Sequence, residues 1–356
     1  MLDAPPYVIA EIGANHGGSM KTAKEMIRAA KNCGCNAVKF QKRDNKSLYT
    51  KEAYNRPYNS ENSYGATYGE HREALEFDYG QFKKLKKFAR KRGLDFGATA
   101  FDIPSARLLA KLGIDFLKIA SGDLLNEPLQ NYVAESFSKI VFSTGGAESE
   151  SDIYDAYARL SRYGASVTIL HCTSGYPAEY RELNLRNITT LRETFSEAVV
   201  GWSSHARGIN QACTAYALGA RVLEAHFTLD RTAKGTDQAF SLEPSGMAAM
   251  VRYLRYSSEA LGSGERKRLD CEREALKKQW KNLDGKITLE EDDGWVPDES
   301  DPYLNEVTRE ALEDYNWERD LDEYAARVNA KAGLIDDHQP NGCVTFPEQD
   351  VFERQW

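Results

Sequence analysis

The chain has 356 residues, of which 41% are hydrophobic and 28% charged, with a net charge of −8. That supports a sizeable core, in one large domain with an extra segment or in two ordinary domains, and no apolar run approaches the roughly 18 residues of a membrane span. The charge is uneven. Residues 286–356 carry 20 acidic and 6 basic side chains, net −14, whereas residues 1–285 carry 34 and 40, net +6. A mildly basic body suits a small anionic substrate, and no basic stretch interleaves with aromatics as in a nucleic-acid-binding surface. Met1 runs directly into Asp3, Pro5 and Pro6 without a signal-peptide pattern, and the six cysteines form no paired CxxC motifs. The expectation is reduced thiols and a cytoplasmic, membrane-free protein.

In chain order, eight short apolar runs read as buried strands: 7–15, 36–41, 94–101, 115–122, 140–146, 166–172, 198–205 and 221–227. Each is rich in Val, Ile, Phe or Leu and bounded by Gly or polar residues. Amphipathic helical patterns lie between them, for example 19–34, 79–93 and 150–164, and several end in Gly. Eight strand–helix units over some 250 residues predict a (β/α)8 barrel of the TIM type. An open doubly wound sheet would want a GxGxxG turn after the first strand, and EIGANHGG lacks that spacing. Residues 42–78 form a polar, tyrosine-rich insertion with little helical period, either a functional loop or a disordered one. The predicted organisation is a catalytic barrel over 1–285 and an acidic, partly helical extension over 286–356.

In a parallel barrel the C-terminal strand ends open on one face, and active sites are built there. Here those ends carry Glu11, Asn15 and His16, then Lys39 and Gln41, then Thr99 and Asp102. The later ends carry Lys118, Ser121 and Asp123, then Ser143, then His171 and Ser174, then Ser203 and His205, then Glu224 and His226. Burying charge at one mouth is costly unless a ligand, metal or counter-ion answers it. Read alone, His205 and His226 are either structural or a pair able to share a divalent ion. Lys39 and Lys118 are either paired with acids, or cradle a phosphate and carboxylate, or act as Schiff-base nucleophiles.

The ordered motifs AEIGANHGG, VKFQ, KIASGD, STGG, HCTSGYP, GWSSHARG, EAHFTLD and GTDQAFSLEP resemble the sialic acid synthases over roughly 7–262. The resemblance implies a transferase that condenses phosphoenolpyruvate with an open-chain sugar aldehyde, giving a 2-keto-3-deoxy sugar acid and phosphate. It implies Mn2+ or Mg2+ on His205 and His226, and as partners phosphoenolpyruvate, the aldehyde and a second copy in a homodimer. Lys39 and Lys118, with Ser121, Ser143, Thr99 and Ser174, would grip phosphoenolpyruvate without an imine. Glu11 and Asp123 would join the lysines as catalytic groups, while Gln41, Tyr176, Ser203 and Asp237 would contact substrate. The chain departs from the pattern at Ser204, Asp123 and Ala225, and an acidic segment stands where the family has an antifreeze-like domain. The alternatives are the same chemistry on a non-amino-sugar aldehyde, or an inactive sugar-binding barrel.

Overall fold

The computed structural model describes residues 6–277 and 279. The chain divides into two compact units, Met1–Arg266 and Lys267–Trp356. The predicted boundary at 285 and the acidic extension lie outside the described residues.

The first unit is a closed barrel of eight parallel strands in sequence order, with β1 pairing β8. The strands are β1 (Tyr7–Gly13), β2 (Ala37–Lys42), β3 (Asp95–Ala100), β4 (Phe116–Ile119), β5 (Lys139–Ser143), β6 (Ser166–Cys172), β7 (Val199–Ser204) and β8 (Val222–His226). Helices α1 (Met20–Asn32), α2 (Asn45–Leu48), α3 (Lys51–Asn55), α4 (Tyr68–Ala74), α5 (Tyr79–Arg90), α6 (Ile103–Leu112), α7 (Glu127–Ser136), α8 (Glu150–Ser161), α9 (Asn187–Thr194), α10 (Asn210–Ala217) and α11 (Pro244–Leu261) follow in the connections. In the second unit the structure describes α12 (Asp270–Lys277). No described helix is long and apolar enough to cross a membrane.

Local chemistry sets the helix ends. Ser19 caps α1 by accepting the Thr22 N–H, and Ala23, Met26, Ile27 and Ala30 form its buried face. Asp102 caps α6, Pro104 sits in its first turn, and Gly113 ends it in the left-handed region at φ 65°. Asp102, which the strand-end pattern grouped with candidate site residues, is thereby a structural group. Its second oxygen accepts the Asp44 N–H.

The strands are buried on both faces, which is why they read as continuous apolar runs. Side chains such as Phe40, Phe96, Phe142, Trp202 and Ala225 join the main core. The alternate residues point into the barrel and form layers. Ile9, Ala37, Phe116, Val141 and Leu170 make a separate apolar cluster. Two residues further along the same strands stand Glu11, Lys39, Lys118, Ser143 and Cys172. The same step runs from Gly97 to Thr99, from Gly201 to Ser203 and from Val222 to Glu224. Each strand therefore passes from apolar or small to polar within one pleat.

The insertion after β2, expected to have little helical structure, folds into α2, α3 and α4. Thr67 and Glu70 form a reciprocal capping box at the start of α4. Tyr58, Tyr64 and Tyr68 gather around the buried His71, with ring centroids 4.8, 5.9 and 6.2 Å away.

Candidate active site

The polar layer opens into a cavity of about 770 Å3 at the C-terminal end of the barrel. At its floor, two lysines and two glutamates meet. Lys39 Nζ lies 2.7 Å from Glu11 Oε2 and 3.6 Å from Glu224 Oε1, and Lys118 Nζ lies 3.6 Å from the same Glu224 oxygen. Lys39 also donates to Thr99 Oγ1 at 2.8 Å, and Ser203 Oγ donates to Glu224 Oε1 at 3.2 Å. Strand register produces this, because Glu11 pairs with Lys39, Thr99 with Lys118, and Ser203 with Glu224. All four ionisable groups are buried. The quartet is internally neutral, which offsets the cost of desolvating it.

The two carboxylates are driven apart. Burial raises the Glu11 pKa, and Lys39 only partly opposes that. Burial also pushes Glu224 up, but the Lys118 and Lys39 ammonium groups outweigh it and hold the acid at about 2. For Lys39, burial is outweighed by Glu11 and Glu224, so its proton is held more tightly than usual. For Lys118, burial wins and the pKa falls.

Beside Lys118, Gly145 lets two hydroxyls approach. A Cβ at this position would stand 2.2 Å from Ser174 Oγ and 2.6 Å from Ser121 Oγ. Ser143, buried with an unpartnered Oγ, lines the same wall. On the opposite side the His205 and His226 rings lie 5.3 Å apart, centroid to centroid. His205 Nδ1 lies 2.9 Å from the Thr173 carbonyl, which can only accept, so that nitrogen carries a proton. His226 Nδ1 is buried without a hydrogen bond, and Asp237 Oδ2 stands 3.8 Å away. Burial lowers the His226 pKa to about 4, so it is a neutral imidazole near pH 7. Tyr176 covers His205 at 4.1 Å between ring centroids.

Two loops fence the mouth. Tyr64 of the insertion donates to the Lys234 carbonyl at 2.7 Å, and the Gly235 N–H donates to Asn62 Oδ1 at 3.0 Å. The β8 loop is tied to β1 as well, since Asn15 Nδ2 donates to the Phe227 carbonyl and to Ser241 Oγ.

The sequence profile of the NeuB family matches residues 26–266. The chain belongs to this family. Its relatives place the family among sialic acid synthase-like proteins. Human N-acetylneuraminate-9-phosphate synthase is 38% identical over 287 residues, which is 81% of this chain and 80% of that protein. The N,N'-diacetyllegionaminic acid synthase of Campylobacter jejuni is 36% identical over 285 residues, 78% of this chain and 81% of that protein. The crystal structure of N-acetylneuraminic acid synthetase from Leptospira borgpetersenii is 34% identical with a TM-score of 0.66, covering 77% of this chain and 91% of that one.

The cavity brings together Glu11, Lys39, Gln41, Thr99, Lys118, Ser121, Ser143, Ser174, Tyr176, Ser203, His205, His226 and Asp237. Asp123 is not among the lining residues. Its carboxylate accepts from Asn126 Nδ2 at 2.9 Å, within the 3-10 turn that leads into α7. The other two departures from the NeuB pattern do not line the cavity either. Ala225 joins the core beneath the helices, and Ser204 accepts the Ala206 N–H. Asn15 and His16 of the NHGG motif are structural. His16 stacks on Phe77 at 4.2 Å, and burial lowers its pKa to about 4. Sequence reasoning did not single out Arg43, Arg72, Cys172 and Thr236, which line the cavity too. The position of Arg43, two residues past Gln41, was the available signal.

Proposed function

We propose that this NeuB-family chain condenses phosphoenolpyruvate with the aldehyde of an open-chain sugar, forming a 2-keto-3-deoxy sugar acid and inorganic phosphate. The observation that carries the reading is the buried Lys39–Glu11–Glu224–Lys118 quartet beside the Gly145 cradle. Lys118, Ser121, Ser143 and Ser174 would hold the phosphate, and Lys39 with Thr99 the carboxylate. Charge-assisted contacts of this kind fix a small dianionic substrate in line with its partner. Lys39 keeps its proton against two carboxylates, which suits a binding role and not imine formation.

Carbon 3 of phosphoenolpyruvate attacks the aldehyde carbon, water adds at carbon 2, and phosphate leaves with cleavage of its C–O bond. Glu11, with its raised pKa, is placed to move a proton at the aldehyde oxygen or the attacking water, while Glu224 stays ionised. Gln41 Nε2 donates to Glu11 Oε1 at 2.9 Å and orients it. Tyr176 and Asp237 stand on the side where sugar hydroxyls would lie.

His205 and His226 fit a divalent ion, because both are neutral-capable imidazoles at adjacent strand ends and the buried His226 Nδ1 lacks a hydrogen bond. No group of three or more His, Cys, Asp or Glu among the described residues is placed to hold a metal. Two protein ligands would leave the remaining positions to substrate and water, as suits Mn2+ or Mg2+. Such an ion, when bound, supplies Lewis-acid polarisation of a sugar oxygen.

The test is a panel of aldoses and amino sugars incubated with phosphoenolpyruvate and Mn2+, followed by phosphate release and mass spectrometry. The expected result is a product lengthened by three carbons from one acceptor class. Phosphate release that never depends on an aldehyde would reject the proposal.

A further inference from the structure

The insertion after β2 and the loop after β8 come from distant parts of the chain and meet at the mouth of the cavity. Residues 57–67 of the insertion close on themselves. Pro57 and Thr67 form an antiparallel bridge, and the Tyr58 N–H donates to the Ala66 carbonyl at 3.0 Å. The tip of this loop is itself held in place, since the Tyr64 N–H donates to His71 Nδ1 at 3.2 Å and the Asn62 N–H to Ser60 Oγ at 3.2 Å. Both tip side chains then reach across to the β8 loop. Tyr64 OH donates to the Lys234 carbonyl, and Asn62 Oδ1 accepts the Gly235 N–H. Lys234 Nζ also lies over the Tyr64 ring, 4.9 Å from its centroid. Room for the phenol comes from Gly17 in the β1 loop, at φ 57°, where a Cβ would stand 3.1 Å from Tyr64 OH.

The residues just past this contact are the ones that face the cavity. At Gly235 the backbone takes φ 148°, a conformation open to glycine, and the next two residues, Thr236 and Asp237, line the cavity. Further on, the Asp237 carbonyl accepts from Ser241 Oγ at 2.6 Å, and Asn15 Nδ2 donates to the same Ser241 Oγ at 2.9 Å. Thr236 and Asp237 are thus suspended between two anchors, one inside the barrel at Asn15 and one made by the insertion. The outer anchor consists of two neutral hydrogen bonds and one cation–π contact, each worth little alone. Losing one of them therefore shifts the docked population of the loop. Asp237 Oδ2 stands 3.8 Å from His226 Nδ1, on the aldehyde side of the cavity. The anion cradle of Lys118, Ser121, Ser143 and Ser174 draws no group from either loop.

We infer that Asn62 and Tyr64 are positioning residues for the acceptor: by clasping the β8 loop they set Thr236 and Asp237 against the aldehyde substrate, which makes the insertion a determinant of acceptor use. This rests on the reading of the cavity as a condensation site for phosphoenolpyruvate and an aldehyde. The full chain and its variants are assayed with Mn2+, phosphoenolpyruvate and the aldose that releases most phosphate in the panel above. Hydrogen exchange at the Gly235 amide is followed in parallel. Tyr64→Phe keeps the ring beneath Lys234 and loses the donor, while Asn62→Leu loses the acceptor oxygen. Each should raise the KM for the aldose about fivefold, and the two together about twentyfold, with the KM for phosphoenolpyruvate changing by no more than about twofold. Exchange at Gly235 should quicken in each variant. Asn62→Asp, which keeps an acceptor oxygen, should restore both readouts to those of the unaltered chain. Tyr64→Phe carries the test alone if Asn62→Leu does not fold. An unchanged KM for the aldose, with or without faster exchange at Gly235, overturns the inference and leaves the condensation reading standing. So does a higher KM for the aldose with Gly235 still protected, or a KM for phosphoenolpyruvate that rises as much as that for the aldose. No phosphate release with any aldose defeats the condensation reading and this inference together.

Discussion

The barrel has a cavity at each end, similar in size and opposite in character. The C-terminal cavity of about 770 Å3 is lined by lysines, arginines, glutamates and histidines. The N-terminal one, about 620 Å3, has an apolar wall that includes Ile9, Phe116, Val141, Val200 and Val222, with charges such as Asp95 and Lys139 toward its rim. One pleat separates them along each strand. The same backbone thus presents a packing layer below and a reacting layer above, and chemistry is assigned by layer more than by strand. Substitutions in the upper layer should strike ligand binding, and those in the lower layer should strike stability.

The largest expected effect is at the histidines. His205→Ala and His226→Ala should each abolish turnover and weaken Mn2+ binding, measured by calorimetric titration, while the thermal unfolding profile keeps its shape. Full activity after exhaustive EDTA treatment would break the upper-layer assignment at its metal half.

Next come the anion contacts. Lys118→Ala should weaken phosphoenolpyruvate binding by about 1.5–3 kcal/mol, the scale of a charge-assisted contact. Gly145→Ala should have a smaller effect in the same direction, about tenfold in KM, since its Cβ would fill the space between Ser174 and Ser121. Unchanged affinity in both variants, measured by titration, would remove the cradle from the account.

The smallest effect on catalysis is expected from the lower layer. Val141→Ala truncates a buried side chain of the apolar cluster and should cost about 1–3 kcal/mol of stability. Its KM values should stay those of the unaltered chain. A kinetic effect without a stability loss would show that the two layers are not separable.

Much of this architecture could be read from the sequence, because strands buried on both faces leave uninterrupted apolar runs. The run 166–172 coincides with β6, and 36–41 matches β2 to within one residue at each end. The step from Phe116 to Lys118 or from Val222 to Glu224 is visible too, since a two-residue spacing keeps both side chains on one face. What the pattern hid were polar groups that serve packing. Asp102, Asn15 and His16 look like catalytic strand ends, yet they cap a helix, tie a loop and stack on Phe77. The insertion hid its helices because α2, α3 and α4 are too short to show a period and depend on local caps and a tyrosine cluster. Arg43 and Arg72 were hidden for the related reason that charges in a polar segment read as solvated. Only the folded chain shows Arg43 buried against Phe101.

The central claim is a carbon–carbon bond formed with loss of phosphate by C–O cleavage at the quartet. The direct measurement uses phosphoenolpyruvate labelled with heavy oxygen at the bridge between carbon 2 and phosphorus, together with the preferred aldehyde. The account predicts that the label appears in the released inorganic phosphate, that release requires the aldehyde, and that Lys118→Ala slows it. Label retained in the keto acid, or release that proceeds at the same rate without an aldehyde, would contradict it.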